Sequence, residues 1–190
     1  MQIMNKKMSE NRKTASVYGA PWPFRLIAGP LKMRTSWYSL YYLEEPSVGI
    51  KTDTPALDKH GCFLWCTNAK KLNRIRENLT EKFAKYKIKH SVNPPIDVVK
   101  ALKGFEYETE NLVFWNETIS LLNLILDYMS FIPNDTEDER TIQLLEELSV
   151  HIFEGKDLPL FYEEHNTSKR RIVEQILYCL YRIYQNSRIV

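Results

Sequence analysis

Residues 112–132 constrain the fold of this chain more than any other part of its sequence. The segment is mostly apolar, and its polar residues recur at steps of three and four. These residues are Asn116, Ser120, Asn123, Asp127 and Ser130. A helix with one narrow polar stripe is buried around most of its circumference. We therefore predict a central core helix whose polar stripe is its solvent-facing edge. The alternative is that the stripe forms a polar groove for a ligand or a partner.

The same segment is long enough to cross a lipid bilayer, which takes about 20 apolar residues. Glu117 and Asp127 oppose that interpretation, because an acidic side chain near the bilayer centre costs about 3 kcal/mol to insert. We therefore expect a soluble protein without a membrane partner.

Two more long helices are predicted in the second half of the chain. The first begins where Thr136 and Glu139 match a capping box, and the second begins near Thr167 or Ser168. One face of the first carries Ile142, Leu145, Leu148 and Ile152, and one face of the second carries Ile172, Val173, Ile176, Leu177, Leu180, Ile183 and Tyr184. Helices joined by short loops pack as antiparallel neighbours.

The first half of the chain is typical of short strands separated by turns. A hairpin is predicted from residues 37–43 and 48–52, followed by a loop at 53–61 and a strand at 62–66. An amphipathic helix then leads to a strand near 86–92. A short helix is predicted at 96–102, ending near Gly104.

These elements predict an α+β fold. A small N-terminal antiparallel or mixed sheet with an amphipathic helix is expected to pack on a C-terminal antiparallel helical bundle. Residues 1–14 read as a flexible tail, and residues 15–190 as a single domain with a sheet-rich half at 15–107 and a helical half at 108–190.

The sequence contains no recognisable catalytic or phosphate-binding motif. Its six glycines never fall at the spacing of a P-loop or a dinucleotide fingerprint. His60 lies close to Cys62 and Cys66, but two cysteines four residues apart on a strand are about 13 Å apart, too far to share a zinc ion. We therefore predict no catalytic residue, metal or cofactor, while an enzyme built from scattered residues stays open as an alternative.

Charge is strongly segregated along the chain although the formal net charge is only +2. Residues 68–90 carry eight basic and two acidic residues, a net +6, whereas residues 133–165 carry ten acidic and two basic residues, a net −8. Residues 167–190 are basic again, with a net +4. Such segments either face each other within the fold or face oppositely charged partners.

The preferred hypothesis is a small non-catalytic protein that inhibits or regulates a protein partner, as immunity proteins and inhibitors do. An acidic surface steers a basic partner, and aromatic residues suit interfaces. The candidate partner-binding residues are Glu137, Asp138, Glu139, Glu146 and Glu147.

The alternative hypothesis is a nucleic-acid-binding regulatory protein that uses the basic helix at residues 70–89. Phosphate contacts need only clustered Lys and Arg side chains. The candidates are Lys70, Lys71, Arg74, Lys82 and Lys85. Under either hypothesis the three cysteines, an odd number without framework spacing, favour a reducing compartment and a cytoplasmic location.

Overall fold

The fold is mostly helical in the part of the chain that can be described. The computed structural model describes residues 16–19, 24–25, 36–37, 39, 41–43, 53–55, 57–67, 71, 75, 78, 87–90, 96–107, 112–133 and 135–190. These residues contain five helices: α1 (Val98–Tyr107), α2 (Leu112–Met129), α3 (Thr136–Phe153), α4 (Leu158–Glu164) and α5 (Lys169–Gln185). The predicted tail at residues 1–14 lies outside the described residues.

Short strands form four two-stranded pairs. The strands are β1 (Ser16–Gly19), β2 (Phe24–Arg25), β3 (Ser36–Trp37), β4 (Tyr41–Leu43), β5 (Asp53–Pro55), β6 (Phe63–Trp65), β7 (Lys87–His90) and β8 (Ser187–Ile189). Strand β1 pairs with β7, and β6 with β8, in parallel, whereas β2·β3 and β4·β5 are antiparallel. The expectation of an antiparallel or mixed sheet is therefore only partly met, because the pair that reaches the core, β6·β8, is parallel.

An antiparallel strand pair occurs near the predicted hairpin, and only its first strand, β4, lies within a segment predicted for that hairpin, residues 37–43. Strand β4 pairs with β5, in register from Tyr41 opposite Pro55 to Leu43 opposite Asp53. The second strand thus occupies the start of the segment that was predicted to be a loop. The stretch at 48–52, predicted as that strand, lies outside the described residues.

Helix α2 is the central helix that its sequence predicts. It contacts α1, α3 and α5, and seven of its side chains, among them Leu121, Ile125 and Tyr128, are at most 1% exposed. Asn116, Asn123 and Ser130 of the polar stripe are exposed, and its other two residues are partly exposed, so the stripe is the solvent-facing edge. Among the helices of the described ranges, none has the length and apolarity of a membrane-spanning segment.

Strand β6 joins the first half of the chain to α2. The ring centroids of Phe63 and Trp65 lie 4.5 and 5.1 Å from the ring centroid of Tyr128, and all three residues are at most 1% exposed. The Trp65 indole Nε1 also donates a hydrogen bond of 2.8 Å to the Ser187 hydroxyl, beside the β6·β8 ladder. This aromatic cluster anchors the small parallel sheet to the helical core.

Three details of the predicted helices need correction. Helix α3 is capped by Asp135, not Thr136, because the Asp135 carboxylate accepts hydrogen bonds from the backbone N–H groups of residues 137 and 138. Helix α1 continues through Gly104 to Tyr107. Leu177 is 37% exposed because the buried stripe of α5 follows Ile176, and a neighbouring residue is rotated by about 100° from it. The predicted start of α5 at Ser168 is confirmed.

Candidate partner-binding groove

A tight turn brings the end of α3 against α4. Gly155 adopts a φ of +69°, a left-handed conformation that glycine adopts without strain. His151 holds the turn, because its ring Nε2 donates a hydrogen bond of 2.8 Å to the backbone carbonyl of Asp157. Pro159 lies in the first turn of α4, where no intrahelical N–H bond is lost. The two helix segments therefore form the walls of one groove.

The groove has a volume of about 300 Å³. It is lined by Glu146, Glu147, Val150, His151, Glu154, Lys156, Phe161 and His165. The buried ring of Phe161 lies between two histidines, with ring centroids 5.1 Å from His151 and 4.1 Å from His165. The groove thus combines an aromatic base with an acidic rim.

The acidic side chains of the rim differ in how strongly they are held. Glu147 lies 3.2 Å from the His165 Nδ1 and accepts a hydrogen bond from Gln143. Glu154 pairs with Lys156 on the surface; this hydrogen bond lowers the pKa of the Glu154 carboxyl and raises the pKa of the Lys156 amine. Glu146 is exposed and forms no ion pair with another residue in the described part of the chain. Its charge is therefore available to an incoming cation.

Large apolar side chains are exposed beside the acidic rim. Phe153, in the last turn of α3, is 80% exposed, and Val150, one turn before it, is 56% exposed. Leu160 on α4 is 47% exposed. Exposed apolar groups that are clustered with charged residues mark contact surfaces. We call Glu146, Glu147, Val150, Phe153 and the groove together the groove surface.

The five predicted partner-binding residues do not form one cluster. Glu137 and Glu139 are exposed in the first turn of α3, where acidic side chains interact favourably with the helix dipole. Glu146 lies seven residues beyond Glu139, which is roughly 10 Å along the helix. Only Glu146 and Glu147 line the groove.

Asp138 is not part of any surface. Its side chain is fully buried and lies 2.7 Å from the Arg182 guanidinium and 2.9 Å from the Tyr178 hydroxyl. Burial, and then the hydrogen bond to this carboxylate, raises the pKa of Tyr178 to about 12. Asp138 therefore links α3 to α5, and a partner cannot reach it in this fold.

The basic helix of the alternative hypothesis is described at few positions. Lys71 is partly exposed, and Ile75 is helical and buried, as its place on the predicted apolar stripe requires. Lys70, Arg74, Lys82 and Lys85 lie outside the described residues. The structure therefore provides no geometry for a nucleic-acid contact there.

The cysteines and His60 do not gather. Cys66 and Cys179 are buried, Cys62 is partly buried and His60 is exposed, and none of the three cysteines forms a disulfide bond. Within the described ranges, no group of three His, Cys, Asp or Glu side chains is placed to hold a metal ion.

Sequence reasoning missed most of the groove. His151 lies on α3, whereas Phe161 and His165 lie on α4 and at its C-terminal cap, and no motif connects them. The available signal was Val150 and Phe153, two apolar residues that fall off the buried stripe of α3. Comparison of the chain with protein-family models, with curated proteins and with solved structures finds no match, so the functional argument depends on this geometry.

Proposed function

We propose that this protein is a small non-catalytic binding protein that inhibits or regulates a protein partner with a basic surface. The observation that carries the proposal is Phe153, which is 80% exposed and directly precedes Glu154, a residue that lines the acidic groove. Aromatic residues are enriched in the buried centres of protein interfaces, and charged residues form their rims. An exposed aromatic side chain close to acidic residues suits such an interface.

Binding would proceed in two physical steps. The negative charges of Glu146 and Glu147 attract a basic surface and orient it before contact. The partner then buries Phe153 and Val150. Burying one large apolar side chain contributes about 2 to 3 kcal/mol, or roughly 30- to 150-fold in affinity. The partner surface that covers the groove is thereby made inaccessible to its own ligands.

The proposal extends to architecture and location. We propose that the strands of the first half pack as a sheet layer on an antiparallel helical bundle, which the stacking of Trp65 on Tyr128 supports. We also propose a reducing, cytoplasmic location, which three cysteines without a disulfide bond support.

Affinity capture from extracts of the source cells tests the partner. The bait is the full chain as wild type, as the groove variant Glu146→Lys/Phe153→Ser, and as the control variant Glu163→Lys. Glu163 is an exposed acid on α4 that does not line the groove, so the control changes charge without changing the groove surface.

A partner of the proposed kind is a protein that the wild type and the control retain and the groove variant loses. Its association rate with the purified chain should fall as salt rises, because screening weakens the steering. Retention of the same protein by the groove variant would contradict the proposal. So would a captured ligand that nuclease removes, which would favour the basic-helix hypothesis.

A further inference from the structure

Helix α5 carries an exposed apolar stripe that the proposed function does not use. Leu177, Tyr181 and Tyr184 are 37%, 50% and 38% exposed. Their spacing of four and three residues places them on one face of the helix. The exposed Arg170, in the first turn of the same helix, lies seven residues before Leu177 and therefore on the same face. We call these four residues the α5 stripe.

The charge of the α5 stripe is opposite to that of the groove surface. The Arg170 side chain is 89% exposed and pairs only along its own helix, at 2.8 Å from Glu174. Residues 167–190 carry a net +4, against −8 for residues 133–165. The charge of Arg182 is matched internally by Asp138, so the accessible positive charge lies at the start of the helix. One chain thus presents two exposed surfaces that both contain apolar residues and carry opposite charges.

We propose that the α5 stripe binds the groove surface of a second copy of this chain. In this contact Phe153 and Val150 of one copy meet Tyr181 and Leu177 of the next, while Glu146 faces Arg170. Pairing groove with groove, or stripe with stripe, would place like charges together, which is unfavourable. Because the contact joins two different surfaces, it is a head-to-tail contact.

Self-association and partner binding would exclude each other, because both cover the groove surface. A basic partner would therefore have to displace a copy of the chain. The inference itself does not rest on the proposed function, since both surfaces belong to this chain.

Sedimentation of the full chain over a range of concentrations tests the contact. The groove variant is Glu146→Lys/Phe153→Ser, and the stripe variant is Arg170→Glu/Tyr181→Ser. All four positions are exposed, so the fold should be retained, which thermal melts verify. Glu163→Lys and Arg140→Glu reverse exposed charges outside both surfaces and serve as matched controls.

We expect the wild type and the controls to self-associate below roughly 1 mM, and to do so less at high salt. Each double variant alone should self-associate at least about tenfold more weakly, as when an interface loses a central aromatic residue. An equimolar mixture of the two variants should form 1:1 dimers, because one intact groove meets one intact stripe.

Three results would overturn the inference. They are a wild type that stays monomeric up to roughly 1 mM, a variant that self-associates as strongly as the wild type, and a mixture that stays monomeric. None of them bears on the capture of a basic partner, and failure of that capture does not bear on sedimentation. The two proposals therefore fail separately.

Discussion

Replacing Arg182 with methionine is expected to destabilise the fold by about 3 kcal/mol. The Asp138 carboxylate is fully buried and lies 2.7 Å from the Arg182 guanidinium. Removing one partner of a buried ion pair typically costs about 3 to 5 kcal/mol, because the other charge remains buried. The lower end applies here, since the Arg182 side chain is 25% exposed and Asp138 keeps its hydrogen bond from Tyr178.

Urea unfolding of a double-mutant cycle measures this contribution. The cycle combines Arg182→Met with Asp138→Asn, which removes the charge and nearly conserves the shape. In the Asp138→Asn background the Arg182 substitution should cost only about 1 kcal/mol, because no buried carboxylate is left unpaired. In the wild-type background it should also lower the Tm by roughly 6 to 12 °C for a chain of this size.

Equal losses in the two backgrounds would refute the reasoning. They would show that Arg182 contributes through packing and through its hydrogen bond to the Pro133 carbonyl, and that the ion pair adds nothing.

Three further predictions concern α5. Leu177→Asp should lower the free energy of unfolding by under about 1 kcal/mol, whereas Leu180→Asp, at a position only 2% exposed, should lower it by several kcal/mol. The reverse order in thermal melts would mean that the buried and exposed faces of the helix are assigned wrongly. Tyr178 has a pKa raised to about 12 in the fold, above about 10 in an unfolded chain, so its contribution to stability is complete below pH 10 and is lost as pH rises towards 12. Spectrophotometric titrations of the wild type and of Tyr178→Phe give the ionisation of Tyr178 as the difference between the two curves. This difference should appear close to pH 12, and a difference centred near pH 10 would contradict the prediction. Burial raises the pKa of Cys179 to about 12, so a thiol reagent at pH 8 should label the partly buried Cys62 before Cys179. Equal labelling rates for Cys62 and Cys179 would contradict the burial of Cys179.

The helical half of the fold could be predicted because its information is local. Apolar spacing alone located α2, α3 and α5 to within a few residues. Strand β8 could not be predicted, because three residues without alternation gain their structure only from pairing with β6. The pairing of the Trp65 indole with Ser187 spans 122 residues, and no local pattern reports it.

For the candidate site, the sequence predicted only the negative charge and not the groove. The acidic run included Glu146 and Glu147, which line the groove, yet it could not show that Asp138 faces inward. That orientation follows from the position of Arg182, 44 residues later in the chain. The groove itself depends on the turn at Gly155, whose left-handed φ aims α4 back along α3.

The parallel pairing of β6 with β8 has a consequence for synthesis of the protein. Ribosomes add about 5 to 20 residues per second, so the 122 residues between Trp65 and Ser187 take roughly 6 to 24 seconds to appear. During that interval β6 has been made but lacks the strand it pairs with in the finished fold, so one backbone edge of β6 stays unpaired. A nascent chain stalled before residue 187 should therefore bind chaperones that release it once translation resumes.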